Sequence, residues 1–349
     1  MAVRKELFGK SRDGKEIMLY TLRNSMGTEV KIMNLGATIV SVLFQDKNEC
    51  FRDVVLGYDT VEDYYNGGCY YGALIGRSGN RIDKAKFSLN GKTYSLAVND
   101  NENNLHSGPN GLDKRIFELT KECDDRITLT VQDKDLEQGY PGNFCCSVTY
   151  ILNEENELKL HYEAECDQDT VCNLTNHTYF NLGGQESGSI LNTQLWLAAK
   201  EYTPVIDGQA IPTGEYAPVA GTVFDFTQPK TIGRDIEADE PQLKYVGGYD
   251  HNFVIQREQG IDQRFAEAYN PETGICLEAF TDLPGFQFYS GNFMKDEKGK
   301  KGAQYTKRCG FCLETHFYPN SINQEGFAKP ILKAGSKFAS TTTYRFTVR

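Results

Sequence analysis

Apolar side chains recur at every second position along much of this chain, the period of a β-strand with one buried face. In residues 126–132, Ile127, Leu129 and Val131 alternate with polar neighbours. Residues 158–164 repeat the pattern and put Lys159, His161 and Glu163 on the polar face. Near the end of the chain, Tyr344, Phe346 and Val348 alternate with Thr343, Arg345 and Thr347. Turn signals separate such runs: Asn90-Gly91, Tyr140-Pro141-Gly142, Asp207-Gly208, Asn270-Pro271 and Pro284-Gly285. Helical periodicity is confined to 60–65 and 235–244, each long enough for a short helix at most. A half-apolar sheet must cover that face with another layer. The pattern therefore predicts an all-β chain, a large antiparallel β-sandwich with few short helices. No Ser/Gly linker, low-complexity tract or fixed-period repeat divides it, so residues 1–349 read as one domain.

Charge and cysteine usage narrow the partners. A formal net charge of -11 and an isoelectric point near 5.1 argue against nucleic acid, which calls for clustered Lys and Arg. No apolar run is long enough to span a bilayer, so no membrane partner is expected. The first residues, Met-Ala-Val-Arg-Lys-Glu, lack the apolar stretch of a secretory signal. The ten cysteines sit mostly in or beside strand-like runs, and Cys145 adjoins Cys146. That arrangement fits reduced thiols in the cytoplasm better than a disulfide framework. Cys309 and Cys312 form a single C-x-x-C without the second pair of a zinc site, so no metal is expected. Asn-x-Thr triplets at Asn173 and Asn176 then read as chance matches to a glycosylation signal.

The five histidines are few enough to weigh one by one. His161 lies on the polar face of an amphipathic strand and reads as a surface residue. His106, His177 and His251 occur in stretches rich in Asn and Gly, where a rigid scaffold often carries function on its loops. His316 follows Glu314 by two residues and stays outside the expected catalytic set.

Seven motifs in order settle the reading. They are Gly76-Arg77-Ser78-Gly79-Asn80-Arg81-Ile82, Asn104-Leu105-His106, Gly139-Tyr140-Pro141-Gly142 and Thr175-Asn176-His177-Thr178-Tyr179-Phe180-Asn181-Leu182. Tyr249-Asp250-His251-Asn252, Gly285-Phe286-Gln287-Phe288-Tyr289-Ser290-Gly291-Asn292 and Gly310-Phe311-Cys312-Leu313-Glu314-Thr315 follow. Together they resemble the galactose mutarotase (aldose 1-epimerase) family from about residue 30 to the C-terminus. The resemblance implies a β-sandwich with an open sugar cleft, an isomerase of carbohydrate (galactose) metabolism and no cofactor. It matches Glu314 to the general base, His177 to the general acid and His106 to a second histidine near the ring oxygen. Asn80, Arg81, Asp250 and Gln287 match residues that hold sugar hydroxyls. Ser107 stands where the family more often has glycine. Arg77 reads as a structural partner of an acidic residue.

The chemistry stands without the family. Opening a cyclic hemiacetal needs a base at the anomeric hydroxyl and an acid at the ring oxygen. A carboxylate and an imidazole suit those roles, each contributing about 10²- to 10⁴-fold. No P-loop or dinucleotide fingerprint is present, in keeping with a reaction that moves no hydride or phosphoryl group. The expected substrate is a hexose, galactose and also glucose, and the expected pH profile has a carboxylate on its acidic limb and histidine on its basic limb. Other readings are a non-catalytic sugar binder on the same fold, a glycosidase built on two carboxylates, or an enzyme for phosphorylated sugars with extra cations. The acid/base pair favours the isomerase. Tyr179, Phe286, Phe288 and Tyr289 flank these residues as candidates for stacking on the sugar.

Overall fold

The alternating runs become long antiparallel strands. In a computed structural model, which describes residues 3–256 and 263–349, residues 126–132 lie in the strand Arg126–Asp133 and residues 158–164 in Glu157–Cys166. The C-terminal run belongs to Lys337–Val348, a 12-residue strand at the middle of a nine-stranded antiparallel sheet. It pairs with Glu157–Cys166 on one side and with Ile275–Thr281 on the other. Two five-stranded sheets accompany it. One is formed by the first five strands, from Arg4–Lys10 to Phe51–Asp53. The other joins Ala217–Pro218, Glu201–Thr203, Asp250–Val254, Gly285–Tyr289 and Cys312–His316, in that order.

A continuous apolar core joins the three sheets. Phe44 meets Phe346 with ring centroids 5.6 Å apart, tying the N-terminal sheet to the nine-stranded one. Phe265 meets Phe286 at 4.4 Å, tying in the third sheet. Each fully buried side chain of this kind contributes about 1.5–3 kcal/mol. Buried tyrosines also find polar partners across the layers: Tyr344 Oη donates to the Leu313 carbonyl at 3.2 Å, and Tyr150 Oη donates to that of Ala37.

The two helices are short for local reasons. Thr60 caps Val61–Asn66, its Oγ1 accepting the Asp63 N–H at 3.2 Å. In the 235–244 segment only its end is helical: the helix is Pro241–Val246, with the Glu240 carboxylate as cap. Pro241 fits the first helical position, where its missing N–H has no role. Asp235 to Glu240 is turn instead of helix.

All ten cysteines are free thiols. Asn173 and Asn176 are buried, and their amides bond to Phe317 and Gly72 backbone, which leaves neither open to a glycan. Arg77 is an interior cation and not a surface one. It is 1% exposed, pairs with Asp133 at 3.5 Å and donates to the carbonyls of Lys134, Pro141 and Gly142. It thereby holds the Tyr140-Pro141-Gly142 turn. Breaking such a pair strands a buried carboxylate and several carbonyls. Arg77→Met is expected to lower unfolding stability by about 3–5 kcal/mol in urea melts. A loss below 1 kcal/mol would show the turn to be held by something else.

Candidate active site

The floor of the site follows from strand register. In Asp250–Val254, Gly285–Tyr289 and Cys312–His316, Asn252 pairs with Gln287 and Gln287 with Glu314. Period 2 then places Asp250, Gln287, Tyr289, Cys312 and Glu314 on one face. Phe286 and Phe288 fall on the opposite face, where Phe286 stacks on Phe253 and Phe288 on Tyr249. Of the four aromatics expected near a sugar, only Tyr179 and Tyr289 line the pocket. The expectation failed for Phe286 and Phe288 because neighbours in a strand point to opposite sides. The same rule sends His251 into the core between Tyr202 and Phe224, with Nδ1 accepting the N–H of Asp250. The Asp250 carboxylate does not orient that imidazole. Its Oδ1 instead accepts from Gln287 Nε2 at 2.7 Å.

The wall comes from the N-terminal half. Arg81–Ile82 pairs with Asn104–Leu105, and the chain turns left-handed at Asn80 (φ 58°), His106 (φ 53°) and Ser107 (φ 66°). Ser107 keeps the backbone conformation that glycine would adopt, and its Oγ accepts the Ser78 N–H at 2.8 Å. The Asn80 N–H donates to His106 Nδ1 at 3.1 Å, and the His106 N–H returns to the Asn80 carbonyl at 3.1 Å. With Nδ1 accepting, the neutral His106 ring carries its proton on Nε2. His177 follows the strand Thr175–Asn176, and its carbonyl accepts the Gly72 N–H at 3.0 Å. Gly72 is left-handed, and a Cβ there would lie 2.0 Å from the Ile39 carbonyl oxygen.

Floor and wall enclose an open pocket of about 150 Å³. His106, His177, Glu314, Asn80, Arg81 and Asp250 line it, and Gln287 supports it through Asp250. His177 Nε2 lies 3.6 Å from Glu314 Oε1, too long for a formed hydrogen bond. Glu314 is 2% exposed and its Oε2 has no partner. Arg81 Nε donates to Asp100 Oδ2 at 2.8 Å. Tyr70 packs on both histidines, with centroids 4.8 Å from His106 and 5.7 Å from His177. Sequence reasoning passed over Tyr70, although the loop Gly67-Gly68-Cys69-Tyr70-Tyr71-Gly72 carries the glycine density of the other site loops. His316 is buried on the Glu314 face, its Nδ1 donating to the Phe317 carbonyl at 2.7 Å.

Burial dominates the electrostatics. It raises the Glu314 carboxyl well above its ordinary range; Asp250's charge adds to this and Arg81 opposes it. Burial lowers the His177 imidazole to about 4. It also lowers His106, and repulsion from His177 and Arg81 lowers it further. Potential ligand atoms of His106, His177 and Glu314 lie within 4.8 Å of one another, a spacing a metal could span. However, His106 Nδ1 is taken by a backbone N–H, so that ring offers the pocket a hydrogen where a metal needs a lone pair.

A family model for aldose 1-epimerase matches residues 18–345. Galactose mutarotase from Sus scrofa is 39% identical over 350 residues, spanning 100% of this chain and 99% of its own. Aldose 1-epimerase from Escherichia coli K12 is 35% identical over 336 residues, 96% of each chain. The chain belongs to the aldose 1-epimerase family. It is therefore an isomerase acting on carbohydrate. The crystal structure of a GalM/aldose epimerase homologue from C. elegans has the same fold, with a TM-score of 0.88 at 29% identity over 95% of this chain and 99% of that one. A galactose 1-epimerase from Lactobacillus acidophilus gives 0.86 at 29%, covering 99% and 98%.

For an epimerase, the directions of the two shifts reorder the expected pH profile. The form with one proton on the Glu314–His177 pair contains the ionic state, carboxylate with imidazolium. If Glu314 serves as base and His177 as acid, a second proton below the pair's lower pKa removes the base, and above its higher pKa the acid is lost. With His177 lowered and Glu314 raised, those roles put the imidazole on the acidic limb and the carboxyl on the basic limb, an order opposite to the one expected from the sequence and open to measurement. The two limbs belong to the coupled pair. We expect kcat/KM to be bell-shaped with its acidic limb well below pH 6.5. An acidic limb at or above 6.5 would contradict this account.

Proposed function

We propose that this chain interconverts the α and β anomers of a free hexose, galactose foremost and glucose as well. The observation that carries the reading is the buried His177–Glu314 pair, 3.6 Å apart in an open polar pocket. Glu314 takes the proton of the anomeric hydroxyl as that oxygen becomes a carbonyl. The bond from C1 to the ring oxygen breaks, and His177 gives its proton to the ring oxygen. The C1–C2 bond rotates, and closure on the other face of the aldehyde returns both protons. His106, with Nε2–H directed to the pocket, steadies charge at the ring oxygen. Asn80, Arg81, Asp250 and Gln287 hold the other hydroxyls and keep the open chain in place.

A neutral sugar suits the lining, where Arg81 is the one Lys or Arg side chain among the described residues and already meets Asp100. A phosphorylated substrate would call for more cations. The residues that build the site run from Tyr70 to Glu314, in keeping with a single functional domain over 1–349. No helix among the described residues is long and apolar enough to cross a membrane. The ten free thiols suit the cytoplasm.

Purified protein should speed the change in optical rotation of freshly dissolved α-D-galactose without nucleotide, and EDTA should leave the rate unchanged. A rate equal to that in buffer would favour a sugar binder. Loss in EDTA, restored by a divalent metal, would overturn the metal-free route.

A further inference from the structure

Cys312 has no part in the mechanism above, yet it touches the group proposed to move the proton. Its side chain is fully buried on the same strand face as Glu314. Cys312 Sγ lies 3.5 Å from His177 Nδ1, the nitrogen turned away from Glu314. Cys309, the other thiol of the C-x-x-C, serves elsewhere: its sulfur accepts the Thr306 N–H at 3.2 Å. The two thiols are thus separately engaged and do not act as a pair.

We infer that Cys312 is a positioning residue for His177, its thiol partnering Nδ1 whether or not the ring is charged. The inference rests on His177 being the acid in the proposed reaction. Comparison with His106 shows what the thiol supplies. The Asn80 N–H on His106 Nδ1 suits a neutral ring alone, because an imidazolium would set N–H against N–H. A carboxylate on Nδ1 would favour the charged ring instead. A thiol is both a weak donor and a weak acceptor. Its S–H donates to a bare Nδ1, and after rotation its sulfur accepts from Nδ1–H. Burial and the charge of Glu314 hold this thiol well above its ordinary range, so it stays protonated throughout. The carbonyl of His177 itself also favours a proton on the ring, but it already accepts the Gly72 N–H. The proton that His177 gives to the ring oxygen leaves from Nε2, the nitrogen facing Glu314. The discharged ring therefore keeps Nδ1–H, and the sulfur accepts from it in the charged and the neutral state, holding the ring in one orientation.

The test combines Cys312→Ala and Cys312→Ser in the full chain, with circular dichroism to establish folding. Serine keeps a donor and an acceptor; alanine has neither. In ¹⁵N-histidine-labelled protein without sugar, Cys312→Ala should displace the His177 Nδ1 shift and its titration, and Cys312→Ser should restore most of both. In turnover, Cys312→Ala should lower kcat about fivefold to tenfold, the effect of one lost hydrogen bond. KM should stay within twofold, and serine should recover most of kcat. Wild-type Nδ1 shifts and kcat in Cys312→Ala would overturn the inference. Equal losses in both folded variants would overturn it too, by assigning Cys312 to packing alone. The nitrogen shifts are read without turnover, so they decide the role of Cys312 even if the chain proves inactive on hexoses.

Discussion

The site depends on desolvation of two opposed titratable groups. Glu314 and His177 are both buried, and neither has a permanent ionic partner within hydrogen-bond distance. Left alone, the pair is driven toward neutrality, because burial penalises the carboxylate and the imidazolium alike. In the proposed reaction those shifts strengthen Glu314 as a base and His177 as an acid. A solvated carboxylate would be a weaker base, and an exposed imidazolium would be a weaker acid.

The fold sustains that arrangement through rigidity. The floor residues sit within strands of a sheet backed by aromatic contacts such as Phe265–Phe286 and by the Tyr344–Leu313 hydrogen bond. The wall is fixed by a different device, left-handed turns at Asn80, His106 and Ser107 locked by reciprocal bonds between Asn80 and His106. Floor and wall come from distant parts of the chain and meet only because the sheets pack. The buried orphan Oε2 of Glu314 and Oε1 of Gln287 are acceptors awaiting a donor. Hydroxyl groups of a sugar would supply it.

Much of this was legible in the sequence because it is local. Alternation at 126–132 and 343–348 revealed the strands, and motif order revealed the family. His106, His177 and Glu314 could be named from it. The misreadings at the site have one origin, the geometry of neighbours. Phe286 and Phe288 flank Gln287 in sequence but face the core, and His251 is turned from the pocket that Asp250 enters. The Asp235–Glu240 stretch lost its helix to Pro241 as first helical residue. What stayed hidden was through space: sheet order, the contact of Cys312 with His177, and the burial that raises Glu314 and lowers His177.

The central claim is that Glu314 is the proton acceptor and not merely a sugar ligand. The direct measurement is Glu314→Gln, which keeps shape and hydrogen bonding while removing the base. Galactose affinity by titration calorimetry and anomer exchange by NMR should be read on the same folded sample. The account predicts galactose binding close to wild type and a fall in exchange of about 10²-fold or more. Near wild-type exchange in that variant would contradict it.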